Sequence, residues 1–119
     1  MTLPRLLPRK RRRDNRVRCP AHLKWIRCHA CCAFLTSWGC AGPIEAAHVR
    51  SETNGGVALK PGDDNVISLC RFHHGEQHRV GEPEFERKYN IDMKALAREF
   101  AEKSPPLRRY HAKMKREAA

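Results

Sequence analysis

Two histidines and an asparagine stand in this chain in an order suited to hydrolysis of a phosphodiester bond. His48 ends an apolar segment, Asn65 opens a second one, and His74 follows within a histidine-rich stretch. The reaction needs a base that activates water and a cation that neutralises charge on the phosphate and the leaving oxygen. Because an imidazole accepts a proton near neutral pH, His48 is the predicted base. We predict that His48, Asn65 and His74 belong to one catalytic centre.

A catalytic cation site is predicted around the second histidine. His74 and His78 are four residues apart, which places both side chains on one face of a helix, where they can bind a single ion. The ion could be Mg2+, Mn2+ or Zn2+. Alternation along the first apolar segment turns Glu45 toward this site, so Glu45 is the expected third protein ligand. Asp63 and Asp64 are the alternatives.

Six cysteines offer either disulfides or a second metal site. The first 18 residues hold no continuous apolar stretch of signal-peptide length, and the chain contains no membrane-spanning segment, so we expect a reducing, cytoplasmic location. Cysteines mixed with histidines in such a location favour zinc. Cys70 and His73, with two residues between them, supply half of a tetrahedral site. The other half comes from among Cys28, Cys31, Cys32 and Cys40.

Basic side chains are concentrated at the two ends of the chain. Of the net charge of +11, residues 1–18 carry +7 and residues 104–119 carry +4, so residues 19–103 are neutral. Basic ends of this kind release counterions from nucleic-acid phosphates, and we predict DNA as the partner. The N-terminal residues expected on DNA are Arg11, Arg12 and Arg13. Guanidinium groups near the predicted centre that suit phosphate are Arg50, Arg71 and Arg79.

Hydrophobic periodicity and turn signals predict the elements that hold these residues. Residues 1–18 have too few apolar side chains to offset the entropy of ordering and should be a disordered arm. A folded domain follows over 19–103, and then a basic tail over 104–119 that is extended, or helical on a partner. The elements predicted within the domain are a helix opened by Pro20, strands over 44–49 and 66–69, and helices starting at Arg71, at Pro83 and after Asp92.

Several segments together resemble the HNH nucleases of phages and prophages, including the group related to recombination-enhancement nucleases. The run Leu69-Cys70, followed by His73, His74 and His78, is more specific than any single histidine. Other similar segments are Trp25–Arg27, Glu45–Arg50, Glu76–His78 and Gly81-Glu82. The resemblance spans about residues 22–104. It implies an α+β fold, namely a small zinc-stapled ββα-metal domain with flanking helices and a disordered basic arm.

The same resemblance implies roles for individual residues. In similar sequences the first zinc ligand stands four residues after the position of Arg27, which selects Cys31. Cys40 is the expected second ligand because it leads into the first strand. Asn65 should pin the loop that carries His48 and not touch the substrate. The expected ligands of the structural zinc are therefore Cys31, Cys40, Cys70 and His73.

A chain of this kind would be a monomeric, metal-dependent DNA endonuclease of low sequence selectivity, encoded by a phage or prophage and acting in the bacterial cytoplasm. Relatives in the recombination-enhancement group act with a recombinase filament, which makes such a filament a candidate partner. Many HNH nucleases have Asp or His directly before the base, whereas this chain has Ala47. That departure favours one alternative, a zinc-stabilised DNA-binding adaptor without activity. A relative that acts on RNA is the other alternative.

Overall fold

The structure is a computed structural model that describes residues 3–5, 16–33, 39–50 and 61–118. Within them it has two antiparallel strands and five helices, which confirms the predicted α+β class. The elements are α1 (Pro20–Ile26), β1 (Ile44–His48), β2 (Val66–Cys70), α2 (Arg71–Val80), α3 (Glu82–Tyr89), α4 (Met93–Lys103) and α5 (Pro105–Ala118). None of these described helices is long and apolar enough to cross a membrane. Most of the predicted arm lies outside the described residues, as do Arg11, Arg12 and Arg13.

The pairing of the two strands fixes which residues face solvent. Ile44 lies opposite Cys70, and His48 lies opposite Val66. Every residue of β2 is buried, as its continuous apolar run predicts, whereas β1 is only partly buried and its last residue, His48, is exposed. β2 is therefore the more buried of the two strands. β1 carries its polar residues at the open edge.

β2 continues into α2 with no residue between them. Cys70 ends the strand and is also the N-cap of the helix, where its Sγ accepts a hydrogen bond from the backbone N–H of His73 at 3.4 Å. The first two N–H groups of the helix donate to the carbonyls of Pro43 and Ala41 at 2.9 and 3.1 Å. The loop before β1 therefore supplies partners that the first turn of a helix otherwise lacks.

Gly42 allows that loop to lie against α2. Its φ is +84°, in the left-handed region that other residues disfavour, and a Cβ here would lie 2.8 Å from the Cβ of Arg71. Two independent steric reasons thus require glycine at this position. The close approach brings the preceding segment, which contains Cys40, beside the start of α2.

The apolar core joins the sheet to α3 and α4. Ile67 and Leu69 of β2 pack in one buried cluster with Phe85 of α3 and Met93 of α4. Truncation of a fully buried Phe to Ala costs about 3–5 kcal/mol, because the burial is lost and a cavity remains. The buried side chains of α2, in contrast, are polar: His73, Glu76 and Gln77. The apolar core thus holds the sheet, α3 and α4 together, whereas α2 contributes buried polar side chains.

The segment predicted as a basic tail forms the helix α5. Ser104 Oγ accepts the N–H of Leu107 at 3.2 Å and lies 2.7 Å from Nδ1 of His22 in α1. Leu107 is 1% exposed, whereas the residues from Arg108 onward are exposed or half-buried. The packed part of the chain therefore includes the first turn of α5. The helix continues from there to Ala118.

Burial of His22 predicts a pH dependence of stability. Burial lowers its pKa, because an imidazolium would lose hydration in the folded protein. The unfolded chain therefore binds this proton more readily, so the contribution to stability is complete above about pH 6.5 and is lost as the pH falls below it. In His22→Asn, the free energy of unfolding, measured with urea, should fall less steeply between pH 7.5 and 5.5. The exposed His111→Asn should keep the wild-type slope, and equal slopes in all three proteins would contradict the assignment.

Candidate active site and metal centre

Four ligand-type side chains meet where α2 begins. The Nδ1 atom of His73 lies 3.1 Å from Sγ of Cys70, 3.4 Å from Sγ of Cys31 and 3.6 Å from Sγ of Cys40. All four ligand atoms lie within 4.8 Å of one another. These are the four residues that the sequence predicted as zinc ligands. Within the described ranges, they are the one group of three or more such side chains close enough to share an ion.

The cluster fits a tetrahedral zinc ion in chemistry and in dimensions. Zinc–sulfur bonds of about 2.3 Å and a zinc–nitrogen bond of about 2.0 Å place tetrahedral sulfur and nitrogen ligands about 3.5 Å apart. The three sulfur–nitrogen distances lie around this value. Three cysteines and one histidine are also a donor set of structural zinc sites, which have no open coordination position. The cluster is therefore compatible with a structural zinc.

The protonation of the cysteines also suits a cation. Desolvation and the neighbouring sulfurs of Cys31 and Cys70 raise the pKa of Cys40 to about 12, because a further thiolate would face like charge. The pKa of Cys70 is lowered: burial acts against this, but hydrogen bonds from backbone groups of His73 and Ala41 outweigh it. The backbone groups thus favour the thiolate form of Cys70. A divalent cation would supply the charge that allows the others to ionise.

A buried ionic network links the helix of the cluster to α3. Glu76 is buried and accepts hydrogen bonds from the Tyr89 hydroxyl and the Lys88 ammonium. Burial would raise the pKa of Glu76, but these donors lower it and keep the carboxylate ionised. The Tyr89 ring also stands edge-on to His73, with centroids 5.0 Å apart. The network therefore fixes the turn of α2 that carries His73.

His48 lies at the end of β1 and is held by an acidic side chain. Its Nε2 atom is 3.1 Å from Oδ1 of Asp63, a residue that is 6% exposed. Nε2 is therefore the ring nitrogen placed to form a hydrogen bond with Asp63. Among the described residues, Nδ1 has no hydrogen-bond partner. The side chain of His48 is 39% exposed, so a water molecule can reach it.

Asn65 fastens the residue that follows His48. Its Nδ2 donates to the carbonyl of Val49 at 2.6 Å, and the backbone N–H of Val49 donates to the carbonyl of Asn65 at 2.8 Å. This reciprocal pair extends the strand ladder one residue beyond His48. Asn65 therefore lies where it can hold the base-bearing segment, and its amide nitrogen is occupied by the backbone.

His74 and His78 lie on one face of α2 with their Nε2 atoms 3.2 Å apart. Two nitrogens at about 2.0 Å from one tetrahedral zinc ion would lie about 3.3 Å apart, so the pair is spaced to chelate an ion. Glu45 takes a different place from the one expected. Its Oε1 is 2.9 Å from Nδ1 of His74, the ring nitrogen that faces away from His78. A carboxylate in this position orients a metal-binding histidine.

The other residues considered as a third ligand do not join the histidine pair. Asp63 uses Oδ1 for His48 and Oδ2 for the backbone N–H of Cys19, 2.9 Å away. In the described part of the chain, no third ligand-type side chain, Asp64 included, lies close enough to both His74 and His78 to share an ion.

A cleft of about 660 Å³ lies between the end of β1 and α2. His48 and His78 both line it, together with the cationic side chains of Arg50 and Lys94 and the carboxylates of Glu82 and Glu86. Gln77, also in the wall, donates from Nε2 to the carbonyl of His48 at 3.4 Å and so ties α2 to the end of β1. The cleft therefore brings two imidazoles, two cationic side chains and two carboxylates to one surface.

The structure places the three arginines predicted to contact phosphate in different surroundings. Arg50 lines the cleft, and its backbone N–H donates to Glu82 at 2.8 Å. Arg71 is exposed at the start of α2, on the side of the cysteine cluster. The side chain of Arg79 is 71% exposed, with Nη2 4.0 Å from Glu76. Of the three, Arg50 is the one placed beside the base.

Two site features were not predicted from the sequence. Asp63 was considered only as a metal ligand, and Glu76 was given no role of its own. Both contacts join residues from different elements, so no local spacing signals them. One clue was available for Asp63, since an acidic residue two positions before Asn65 must lie near the end of the paired strand.

Comparisons of the chain with protein-family models, with curated proteins and with solved structures find no match.

Replacement of a cluster cysteine should separate structural from free thiols. Cys70→Ser should lose about one tightly bound zinc per chain and melt at a much lower temperature, because a structural zinc contributes directly to folding free energy. Cys28→Ser is the matched control: Cys28 is exposed, with its Sγ near the carbonyl of Lys24, and should keep both zinc and stability. Zinc content and thermal melting measure the two effects. A Cys70→Ser protein that keeps the zinc and the melting temperature of the wild type would remove Cys70 from the ligand set.

Proposed function

We propose that this chain is a metal-dependent endonuclease of the HNH type, which hydrolyses phosphodiester bonds in DNA. The observation that carries the proposal is the cleft, lined both by His48, with its basic Nδ1, and by His78 of the chelating pair. A base and a cation at one open surface are the two requirements of the reaction. The run of histidines from His73 to His78 and the ββα arrangement support the HNH type.

In the proposed reaction His48 acts as the general base. One O–H bond of a water molecule breaks as its proton moves to Nδ1, and the water oxygen attacks phosphorus. The bond between phosphorus and the leaving oxygen breaks, and that oxygen takes a proton from solvent. Arg50 and Lys94 hold the phosphate oxygens from the wall of the cleft, because their positive charge attracts the negative charge that develops on these oxygens.

His74 and His78 are the proposed holders of the catalytic cation. A divalent ion there neutralises charge on the phosphate and the leaving oxygen. Glu45 accepts the Nδ1–H of His74, which leaves Nε2 of that ring unprotonated and directed toward Nε2 of His78. With two protein ligands, the site would bind its ion more weakly than the cysteine cluster, and the phosphate would complete it.

The cysteine cluster has a separate, structural role in this proposal. Cys31 and Cys40 come from two segments that lack regular structure of their own, and the cluster fastens both to the start of α2. A closed ligand set offers no position for a substrate. Its effect on the reaction is indirect, through the placement of the helix that carries His74 and His78.

DNA as the substrate is supported by the charge of α5. The basic side chains of α5 are exposed. They are Arg108, Arg109, Lys113, Lys115 and Arg116. At 3.6 residues per turn they cover an arc of about 160°, on the side of the helix opposite the buried Leu107. Contacts of this kind bind phosphates without reading bases, so sequence selectivity should be weak. Targeting would then come from DNA structure or from a protein partner, for which a recombinase filament is the candidate.

A DNA-binding adaptor without nuclease activity is the second candidate function. It is favoured by the absence of a third ligand beside His74 and His78 in the described ranges, and by Ala47 before the base. Nicking of supercoiled plasmid with added magnesium, manganese or zinc separates the two functions. Competition between DNA and RNA of equal length decides whether RNA is the substrate.

His48→Ala should abolish nicking while leaving folding and DNA affinity close to those of the wild type. The expected loss of rate is about 100-fold or more, because the base acts in the transition state and contributes little to the core. Rates are measured with each cation, and affinity is measured by fluorescence anisotropy in chelator. His111→Ala, an exposed histidine outside the cleft, is the control and should cleave normally at low salt. Equal nicking by His48→Ala and wild type would exclude His48 as the base.

Neutralising the end of α5 should weaken DNA binding and reduce its dependence on salt. The triple variant Lys113→Gln, Lys115→Gln and Arg116→Gln removes up to three phosphate contacts, each worth about 0.9 units of slope in log affinity against log salt. The matched control removes the same charge elsewhere, at the exposed positions Lys24, Arg87 and Lys103. Anisotropy titrations at several salt concentrations should show a smaller slope only for the α5 variant. Identical slopes for both variants would mean that α5 is not in contact with DNA.

A further inference from the structure

The turn that carries Asp63 joins three parts of the domain. The backbone N–H of Asp63 donates to the carbonyl of Val17 at 2.9 Å, and its Oδ2 accepts the backbone N–H of Cys19 at 2.9 Å. Its Oδ1 faces Nε2 of His48 at 3.1 Å. Gly62 permits this approach, since a Cβ there would lie 3.0 Å from the nitrogen of Val17. The carboxylate is therefore buried, with a fixed backbone donor on Oδ2 and the ring nitrogen of His48 within hydrogen-bond distance of Oδ1.

We propose that Asp63 is a positioning residue for His48, which fixes the tautomer of the imidazole and stabilises the imidazolium that forms when Nδ1 takes a proton. The catalytic part of this inference rests on the proposed function. The assignment of the tautomer does not, because it follows from the contact between Asp63 and His48 alone.

The arrangement is specific for a carboxylate, because one side-chain oxygen of residue 63 faces the N–H of Cys19 and the other faces Nε2 of His48. The N–H of Cys19 belongs to the backbone and cannot reverse, so one oxygen of residue 63 must always accept. Because Asp63 is ionised, the second oxygen also accepts, and the proton of His48 stays on Nε2. Nδ1 is then unprotonated on the exposed side of the ring. When it takes a proton from water, the positive charge lies beside a buried carboxylate that does not itself become protonated.

The same geometry predicts what an amide would do. Asn at position 63 has one acceptor and one donor, and the N–H of Cys19 takes the acceptor. The NH2 group then faces Nε2 of His48, which must accept, and the proton moves to Nδ1. The imidazole is then in the wrong tautomer to act as a base, although its size and place are unchanged.

Asp63 also places the start of the folded chain beside the base. Val17 and Cys19, its two backbone partners, stand directly after the basic segment 1–16.

The tautomer can be measured directly by 15N NMR of the histidine side chains in the full-length protein at neutral pH. His48→Gln assigns the signals. We expect His48 of the wild type to be protonated on Nε2 and unprotonated on Nδ1, and Asp63→Asn to show the reverse. A wild-type His48 protonated on Nδ1 would overturn the proposal whatever the variants do. A mixture of both forms, unchanged by Asp63→Asn, would overturn it as well.

Kinetics test the consequence for cleavage. Asp63→Asn should lower kcat about 100-fold or more and leave KM within about 3-fold, because substrate contacts are unchanged and the transition-state base is lost. Asp64→Asn, the neighbouring carboxylate, is the matched control and should keep the wild-type kcat. Thermal melting and zinc content verify that each variant is folded. A folded Asp63→Asn with wild-type kcat, or with an effect on KM alone, contradicts the role. If the wild type cleaves nothing, the proposed function fails, and the NMR result still decides the placement of Asp63.

Discussion

The direct continuation of β2 into α2 at Cys70 is the constraint on which the rest of the domain depends. Cys70 ends β2, caps α2 and contributes a sulfur to the cysteine cluster. Because no loop connects β2 to α2, the direction of the helix is set by the strand and by the segment that lies against the first turn of the helix. Backbone hydrogen bonds to Pro43 and Ala41 thus help to place the cysteine cluster at the start of the helix.

The base and the histidine pair are held by different means, and this difference suits their roles. His48 stands on an exposed strand end and is fixed by hydrogen bonds from the turn that carries Asp63 and Asn65. His74 and His78 stand on a helix whose buried face is anchored by Glu76 and its partners. The helix sets the distance between the two imidazoles of the pair. The turn sets the orientation of the His48 ring.

The sequence predicted those parts of the structure that depend on local spacing. Both strands, the start of α2 at Arg71 and the N-cap Asp92 follow from periodicity and capping rules, and the structure has them. The cluster was predictable because its four ligands are of unusual residue types. Helix α5 was missed, since Pro105-Pro106 and the basic residues after it are typical of a tail. Its first turn is held by Ser104, which pairs with His22, and such a distant contact leaves no pattern in the sequence.

Two neighbouring residues of α2 serve two different centres. The His73 ring lies in the cysteine cluster, whereas the His74 ring lies beside His78. The two rings separate because successive side chains on a helix diverge by about 100°. Insertion or deletion of a single residue between His74 and His78 would turn these two side chains away from each other while leaving Cys70 and His73 in place. Natural variants of this segment should therefore differ by substitution and keep its length, so that a fixed spacing, more than residue identity at the intervening positions, is what selection must preserve here.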